Sequence, residues 1–252
     1  MLLHLFNDKM FSIICIYNNR EILDNYLLKS LDNQKTNFEL ILVDNSSDKF
    51  ESAAEALNYA GQKAKGDYLM FIHQDFEFDS NNWLEEAKKT LSFLDNLGIA
   101  GIAGKYDRKL ISNIKTGYPP VLAGPIQIEK PEKVQTLDEC LIIIPKKLFN
   151  KIRFDEIVCD NWHLYATDYC LMVKKAGYDV YVLPLGGYHA SPGYSFTPEA
   201  YYSTLKKLVK KHKSDYKWIY TTTGSWSTVY PLLLQIFYQK AYYWLGLDKR
   251  NK

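Results

Sequence analysis

The stretch Tyr68-Leu69-Met70-Phe71-Ile72-His73-Gln74-Asp75-Phe76-Glu77 runs five apolar residues straight into a polar, charged turn. A short apolar run that stops this abruptly reads as a strand buried on both faces, its carboxyl end opening to solvent. Upstream, Ala53, Ala56, Leu57, Ala60 and Ala64 recur at helical spacing and Gly66 supplies a stop, so a helix packed closely on a sheet precedes this strand. Residues 38–43 form a second strand-like run, ending in Asp44-Asn45-Ser46-Ser47-Asp48, and residues 11–17 a third, closed by Asn18-Asn19. Between these two, Leu23, Leu27, Leu28 and Leu31 make an apolar stripe over residues 21–31. Strands alternating with helices imply a parallel sheet with right-handed crossovers, which binds ligands just beyond the carboxyl ends of its strands. Tyr17, Asp44 and Asp75 all fall there.

Downstream, the pattern predicts a helix over 82–93 and a strand over 99–103. Residues 105–133 then lose periodicity and carry Gly117, Pro119-Pro120, Gly124, Pro125 and Pro131, which reads as an irregular excursion or loose hairpin. Strand character returns at 141–144 and again at 180–183, with a helix beginning near Thr167 between them. A Gly/Pro-rich loop over 184–192 precedes a basic helix over 198–213, and residues 226–247 are rich in aromatics and leucine. The expected architecture is a single α/β domain with a Rossmann-like, mostly parallel central sheet flanked by helices and a helical, aromatic C-terminal tail. Residues 1–213 are expected to form the main domain and 214–252 an aromatic-rich extension.

Bulk composition excludes several classes. With 47% hydrophobic and 24% charged residues over 252 positions, the chain has the balance of a folded globular protein. A formal charge of +2, from 31 basic and 29 acidic residues, gives no global pull toward nucleic acid, so an anionic ligand must be held locally. Cys15, Cys140, Cys159 and Cys170 form no C-x-x-C pair, which argues against a zinc site or a disulfide framework and for a reducing, cytoplasmic setting. Asn7, Asp8 and Lys9 break the N-terminal apolar run, so it reads as neither signal peptide nor anchor. The triplet Asn45-Ser46-Ser47 matches a glycosylation acceptor but reads as a polar loop.

Gly98, Gly101 and Gly104 give G-x-x-G-x-x-G, which lacks the spacing of a dinucleotide fingerprint and does not follow the first strand, so close packing is the better reading. The ordered set that does carry chemistry is a strand ending in Tyr17-Asn18-Asn19, a strand ending in Val43-Asp44-Asn45-Ser46-Ser47, the approach Ala64-Lys65-Gly66-Asp67-Tyr68, and a strand ending in His73-Gln74-Asp75. This order resembles the family 2 glycosyltransferases of the GT-A fold over about residues 10–195. Asn58 and Gly61 resemble part of that family's R-N-x-G helix, without its arginine. The family's D-x-D metal motif reads His73-Gln74-Asp75 here, a form found in one subgroup of glycosyltransferase-like proteins.

The resemblance implies a nucleotide-sugar donor, with a UDP moiety met by Tyr17, Asp44, Asn45, Gln74 and Asp75. A tyrosine ring stacks on uracil while a carboxylate accepts from its imide N–H. Asp75 and His73, joined by His189 from the loop after the last strand, would hold Mn²⁺ or Mg²⁺ against the diphosphate. Thr167-Asp168 matches the family's catalytic pair, which makes Asp168 the expected general base for an inverting displacement by a glycan or lipid-linked acceptor hydroxyl. The same carboxylate would also suit a helix N-terminus, so Asp168→Asn is expected to cost less than about 1 kcal/mol in stability while slowing transfer roughly 100-fold. Asp160 and Asp155 are the reserve bases.

Lys206, Lys207, Lys210, Lys211 and Lys213, followed by the aromatic tail, suit either peripheral attachment to the inner face of an anionic membrane or a solvated face beside a core or homodimer contact. Two rival functions stand beside glycosyl transfer. One is a donor-binding protein without turnover, suggested by the reduced D-x-D and by Asn45 in place of a second acid. The other is a nucleotidyltransferase, which would carry a Gly-rich basic loop where this chain has Tyr17-Asn18-Asn19-Arg20.

Overall fold

The computed structural model describes residues 9–190 and 197–244. Strand β1 (Phe11–Tyr17) leads into helix α1 (Arg20–Leu23), a π-helical turn (Asp24–Leu28) and α2 (Lys29–Leu31), which together form the expected first crossover. Then follow β2 (Phe38–Asp44), α3 (Ala53–Lys63), β3 (Tyr68–Ile72), β4 (Phe76–Phe78) and α4 (Trp83–Ser92). Strands β5 (Leu97–Gly101), β6 (Ala103–Tyr106), β7 (Lys109–Ser112), β8 (Ile114–Thr116), β9 (Val121–Leu122), β10 (Glu132–Lys133), β11 (Thr136–Leu137) and β12 (Leu141–Pro145) fill the middle of the chain. The rest is α5 (Lys146–Phe149), α6 (Tyr165–Lys175), β13 (Asp179–Val182), β14 (Gly187–His189), α7 (Pro198–His212), the pair β15 (Trp218–Thr221) and β16 (Gly224–Ser227), and α8 (Leu232–Trp244).

The central sheet has seven strands in the order β10-β13-β5-β12-β3-β1-β2. Five run in one direction. β12 enters between β3 and β5 antiparallel to both, and β10 is antiparallel to β13 at the edge. The sheet is therefore mainly parallel but mixed. Both faces are covered, which explains the unbroken apolar runs: Phe11, Ile13 and Cys15 point into one core with Leu23, Leu27, Trp83 and Leu91, while Ile14, Leu69 and Phe71 point into the other with Leu57, Ala60, Phe149 and Tyr169. A third cluster, of Leu171, Tyr201, Leu205, Leu208, Ile219 and Trp226, docks α7 and the β15–β16 pair onto α6.

Two expectations change. Residues 105–133 are not irregular: β6 and β7 form a tight hairpin turned at Asp107 (φ 53°), and β8 and β9 join β4 and β14 in a four-stranded sheet. Strands of two to four residues are too short to show an alternating pattern. The tail expected to be helical begins instead with the β15–β16 pair, tied to the domain by Gln135, which donates to Trp218 O at 2.9 Å and accepts from Tyr220 N at 2.8 Å. The glycine triplet packs as expected, since a Cβ at Gly101 would lie 2.9 Å from Leu141 O and one at Gly104 2.6 Å from Thr136 O. All four cysteines are free and buried.

Candidate functional site

The parallel pairing of β1 with β2 and β3 brings their carboxyl ends to one edge, with Tyr17 level with Asp44. The Tyr17 hydroxyl donates to Asp44 Oδ2 at 3.2 Å, and Asp44 Oδ1 accepts from Ser46 N at 2.8 Å. These bonds from Ser46, with Tyr17 and Arg20 assisting, hold the exposed Asp44 carboxyl below its usual range. A phenol ring and an ionised carboxylate thus stand side by side at the sheet edge.

Beyond β3 the chain turns back as β4, and β14 pairs with it antiparallel, setting His189 opposite Phe76. Ala190 N completes the clamp by donating to Asp75 O at 3.0 Å. The result is a cluster in which one ligand atom each from His73, Asp75 and His189 lie within 4.8 Å of one another. His189 Nε2 is 3.2 Å from Asp75 Oδ1 and 3.3 Å from His73 Nδ1.

The far side of His73 decides its tautomer. Its Nε2 lies 3.2 Å from the Tyr165 hydroxyl, whose own proton goes to Glu139 O at 3.1 Å. The hydroxyl must therefore accept from His73 Nε2–H, which leaves Nδ1 as a lone pair aimed into the cluster. Burial, reinforced by the nearby charge of His189, pushes His73 down to about 4, so it is neutral near pH 7. Burial disfavours the charges of Asp75 and His189 as well, but their mutual contact outweighs it: Asp75 is lowered and His189 raised. Two imidazole nitrogens and one carboxylate oxygen at these spacings fit a single divalent cation of the mixed N/O kind, with an outer bond fixing one imidazole.

Asn45 and Gln74 lie at the same sheet edge, each engaged in hydrogen bonds within the chain. Asn45 is buried, and its amide is consumed by Phe50, donating to Phe50 O at 3.2 Å and accepting from Phe50 N at 2.8 Å. It shapes the loop after β2. Gln74 accepts from the backbone N–H groups of Asn18 (3.1 Å) and Asn19 (3.0 Å) and donates to Asn18 Oδ1 (2.8 Å). Its amide ties the β1 and β3 ends together. Asn58 clamps Phe154 through both backbone groups, at 2.9 and 3.1 Å.

Asp168 requires the largest correction. It lies on α6, fully buried against α7, where Oδ2 takes Lys211 Nζ at 2.7 Å and Oδ1 takes His212 Nε2 at 2.7 Å. A carboxylate with both oxygens engaged and no exposed surface cannot meet an acceptor hydroxyl. Nor does it cap the helix. Leu164, held at φ 66°, turns the chain into α6, and the first N–H groups of that helix meet Glu139, whose Oε1 accepts from Ala166 N at 3.4 Å. The reserves go to α7 too, Asp155 to Lys211 at 2.8 Å and Asp160 to Lys207.

Sequence reasoning missed Asp138, Glu139 and Tyr165. Asp138 is half-buried, accepts from Cys140 N (3.1 Å) and Thr222 Oγ1 (3.0 Å), and raises the proton affinity of both cluster histidines. Burial and the neighbouring Asp138 push Glu139 up to about 8. The adjacent acids were visible ahead of an apolar strand, but nothing in their spacing joins them to His73.

Residues 12–221 match the Glycosyltransferase like family, and the chain belongs to it. No curated protein sequence matches significantly. Among solved structures, the chain resembles GalNAc-T7 with UDP, GalNAc and Mn²⁺, at 12% identity and a TM-score of 0.58 over 81% of this chain and 48% of that one. It resembles S. aureus TarS 1-349 in complex with UDP-GlcNAc at 16% identity and a TM-score of 0.58, over 80% of this chain and 66% of that one. For the mannosyltransferase PcManGT from Pyrobaculum calidifontis with GDP-Man and Mn²⁺, the values are 14% and 0.56, over 83% and 65%. The chain thus spans about half to two thirds of the length of these structures, and at such identities the likeness establishes the shared GT-A fold.

Proposed function

We propose that the chain transfers a sugar from a nucleoside-diphosphate donor, with UDP as the expected nucleotide, to an acceptor hydroxyl with inversion, using a divalent cation held by His73, Asp75 and His189. The observation that carries this reading is the convergence of those three ligand atoms beside Tyr17 and Asp44, on the sheet edge where the fold binds ligands. The cation, Mn²⁺ or Mg²⁺, would neutralise charge on the departing diphosphate. Residues 1–213 form the donor-binding and catalytic part of this assignment. Calorimetry with UDP, with and without Mn²⁺, followed by a transfer and hydrolysis assay over a panel of sugars, tests it.

Donor contacts in this reading are Tyr17 and Asp44. Tyr17→Ala removes the ring that stacks on the base, a contact of about 1 kcal/mol, and should weaken UDP binding about fivefold with the Mn²⁺ dependence intact. Unchanged affinity would take Tyr17 out of the base site.

With Asp168 sequestered, Asp138 and Glu139 are the remaining candidates; Glu139, pushed up to about 8, is mostly protonated near pH 7 and would act as the base through its ionised fraction, so transfer should quicken as pH rises toward 8. Glu139→Gln should slow transfer roughly 100-fold and leave Mn²⁺-dependent UDP binding within about twofold. The same variant has a stability signature. The folded pKa of about 8 lies above the ordinary 4.5, so unfolding releases a proton between those values and wild-type stability falls as pH rises through them. Glu139→Gln should remove at least about 1 kcal/mol of that decline, measured by urea unfolding at pH 4.5 and pH 8.5.

A second reading, donor binding without turnover, is favoured by the engagement of Asp168 with Lys211 and His212. Tight Mn²⁺-dependent UDP binding with no turnover of any sugar nucleotide selects it.

A further inference from the structure

Helix α8 is apolar on two sides. Leu232 and Ile236 pack inward on the cluster around Trp226 and Tyr201, while Leu233, Leu234 and Phe237 turn outward and are 81%, 66% and 72% exposed. Val229 and Tyr230, just before the helix, extend the same exposed apolar strip. At 13 residues α8 is about 20 Å long, too short for the roughly 30 Å hydrocarbon core, and among the described residues no helix is long and apolar enough to cross a membrane. A helix of this kind can lie in an interface but not span it.

The surroundings of the strip are basic. Residues 198–244 hold seven lysines and two acids, Glu199 and Asp215. Lys207 and Lys211 are drawn inward by Asp160, Asp155 and Asp168, which leaves Lys206, Lys210, Lys213, Lys217 and Lys240 on the surface. Lys206 and Lys210 follow Tyr202 along one side of α7, and Tyr202 meets α8 through Gln239 at 3.3 Å, with Lys240 Nζ 5.6 Å from its ring. An exposed apolar strip flanked by lysines complements an anionic bilayer surface. A second copy of the chain would instead bring two such lysine rows together.

The helix is also wired to the site. Gln239 Nε2 donates to Thr223 O at 3.1 Å, and the neighbouring Thr222 donates to Asp138 beside the histidine cluster.

We propose that the outward face of α8, with the lysines of α7 beside it, seats the protein on an anionic membrane and so presents the site to acceptors carried by lipids. The acceptor half rests on the glycosyl-transfer reading; the membrane half stands apart from it. Co-sedimentation of the full chain with phosphatidylcholine vesicles, and with vesicles of equal parts phosphatidylcholine and phosphatidylglycerol, tests the membrane half. The expected result is at least about tenfold tighter binding to the anionic vesicles, weakened in high salt. The double variant L233E/F237E should lose at least about tenfold in that binding while keeping the melting temperature and the solution affinity for UDP. Equal binding to both vesicles, or retention by the double variant, overturns the proposal. So does a dimer in light scattering that the double variant splits. Because UDP affinity is read without vesicles, failure here and failure of the donor site are separate results.

Discussion

Asp75→Ala should abolish the Mn²⁺ dependence of UDP binding, a loss of at least about 100-fold in affinity under saturating metal, while shifting stability by no more than about 1 kcal/mol. Asp75 is the one anionic member of the cluster, and without it two neutral imidazoles would have to hold a hard cation against a diphosphate. Asp75 also raises the proton affinity of His189, so its removal changes the metal site without opening a core: the side chain is beyond the end of β3 and partly exposed. His73→Ala should give a smaller loss, since the carboxylate and His189 remain. Calorimetry with UDP and Mn²⁺ on the variant decides the matter, and retained metal-dependent affinity removes Asp75 from the site.

Asp168→Asn should destabilise the fold by about 3 kcal/mol, a drop of roughly 6–12 °C in Tm for a chain of this size. The carboxylate joins α6 to α7 by accepting from Lys211 and His212 at once. An amide can accept at only one end and would turn an N–H toward a donor. Lys211 keeps Asp155 as a partner, which limits the loss. This reverses the expectation drawn from the sequence, where the substitution was to be silent in stability and severe in catalysis. A variant with an unchanged urea midpoint and a 100-fold slower transfer, roughly the effect of losing a general base, would restore Asp168 to the active site.

The strands of the central sheet were legible as apolar runs, unbroken in residues 68–72, which are buried on both faces, and interrupted by Glu39 in the partly exposed edge strand β2. Strand direction leaves no such mark, so β12 was legible as a strand and not as the antiparallel insertion it is. All three members of the cluster were named from the sequence, but His189 was read as part of a loop, whereas it ends β14, whose pairing with β4 sets it beside His73 and Asp75. The cluster's support was not legible, since Tyr165 is 92 residues from His73 in sequence. Asp168 was misread for an identifiable reason. The lysine-rich end of α7 looks like a solvent face, yet Leu205, Leu208 and His212 recur on the buried stripe and carry His212 inward to meet Asp168. A buried histidine on an apolar helix face implies a partner, and that was the signal available.

In the proposed function, His73, Asp75 and His189 together hold one divalent cation against a nucleoside diphosphate. Crystals of the protein soaked with UDP and Mn²⁺, measured for anomalous scattering from manganese, test it most directly. A single strong peak is expected about 2.0–2.3 Å from His73 Nδ1, His189 Nε2 and an oxygen of Asp75, with a diphosphate oxygen on its open side and the uracil against Tyr17. UDP bound without a manganese peak at these three side chains, or a peak held by other residues, would contradict it.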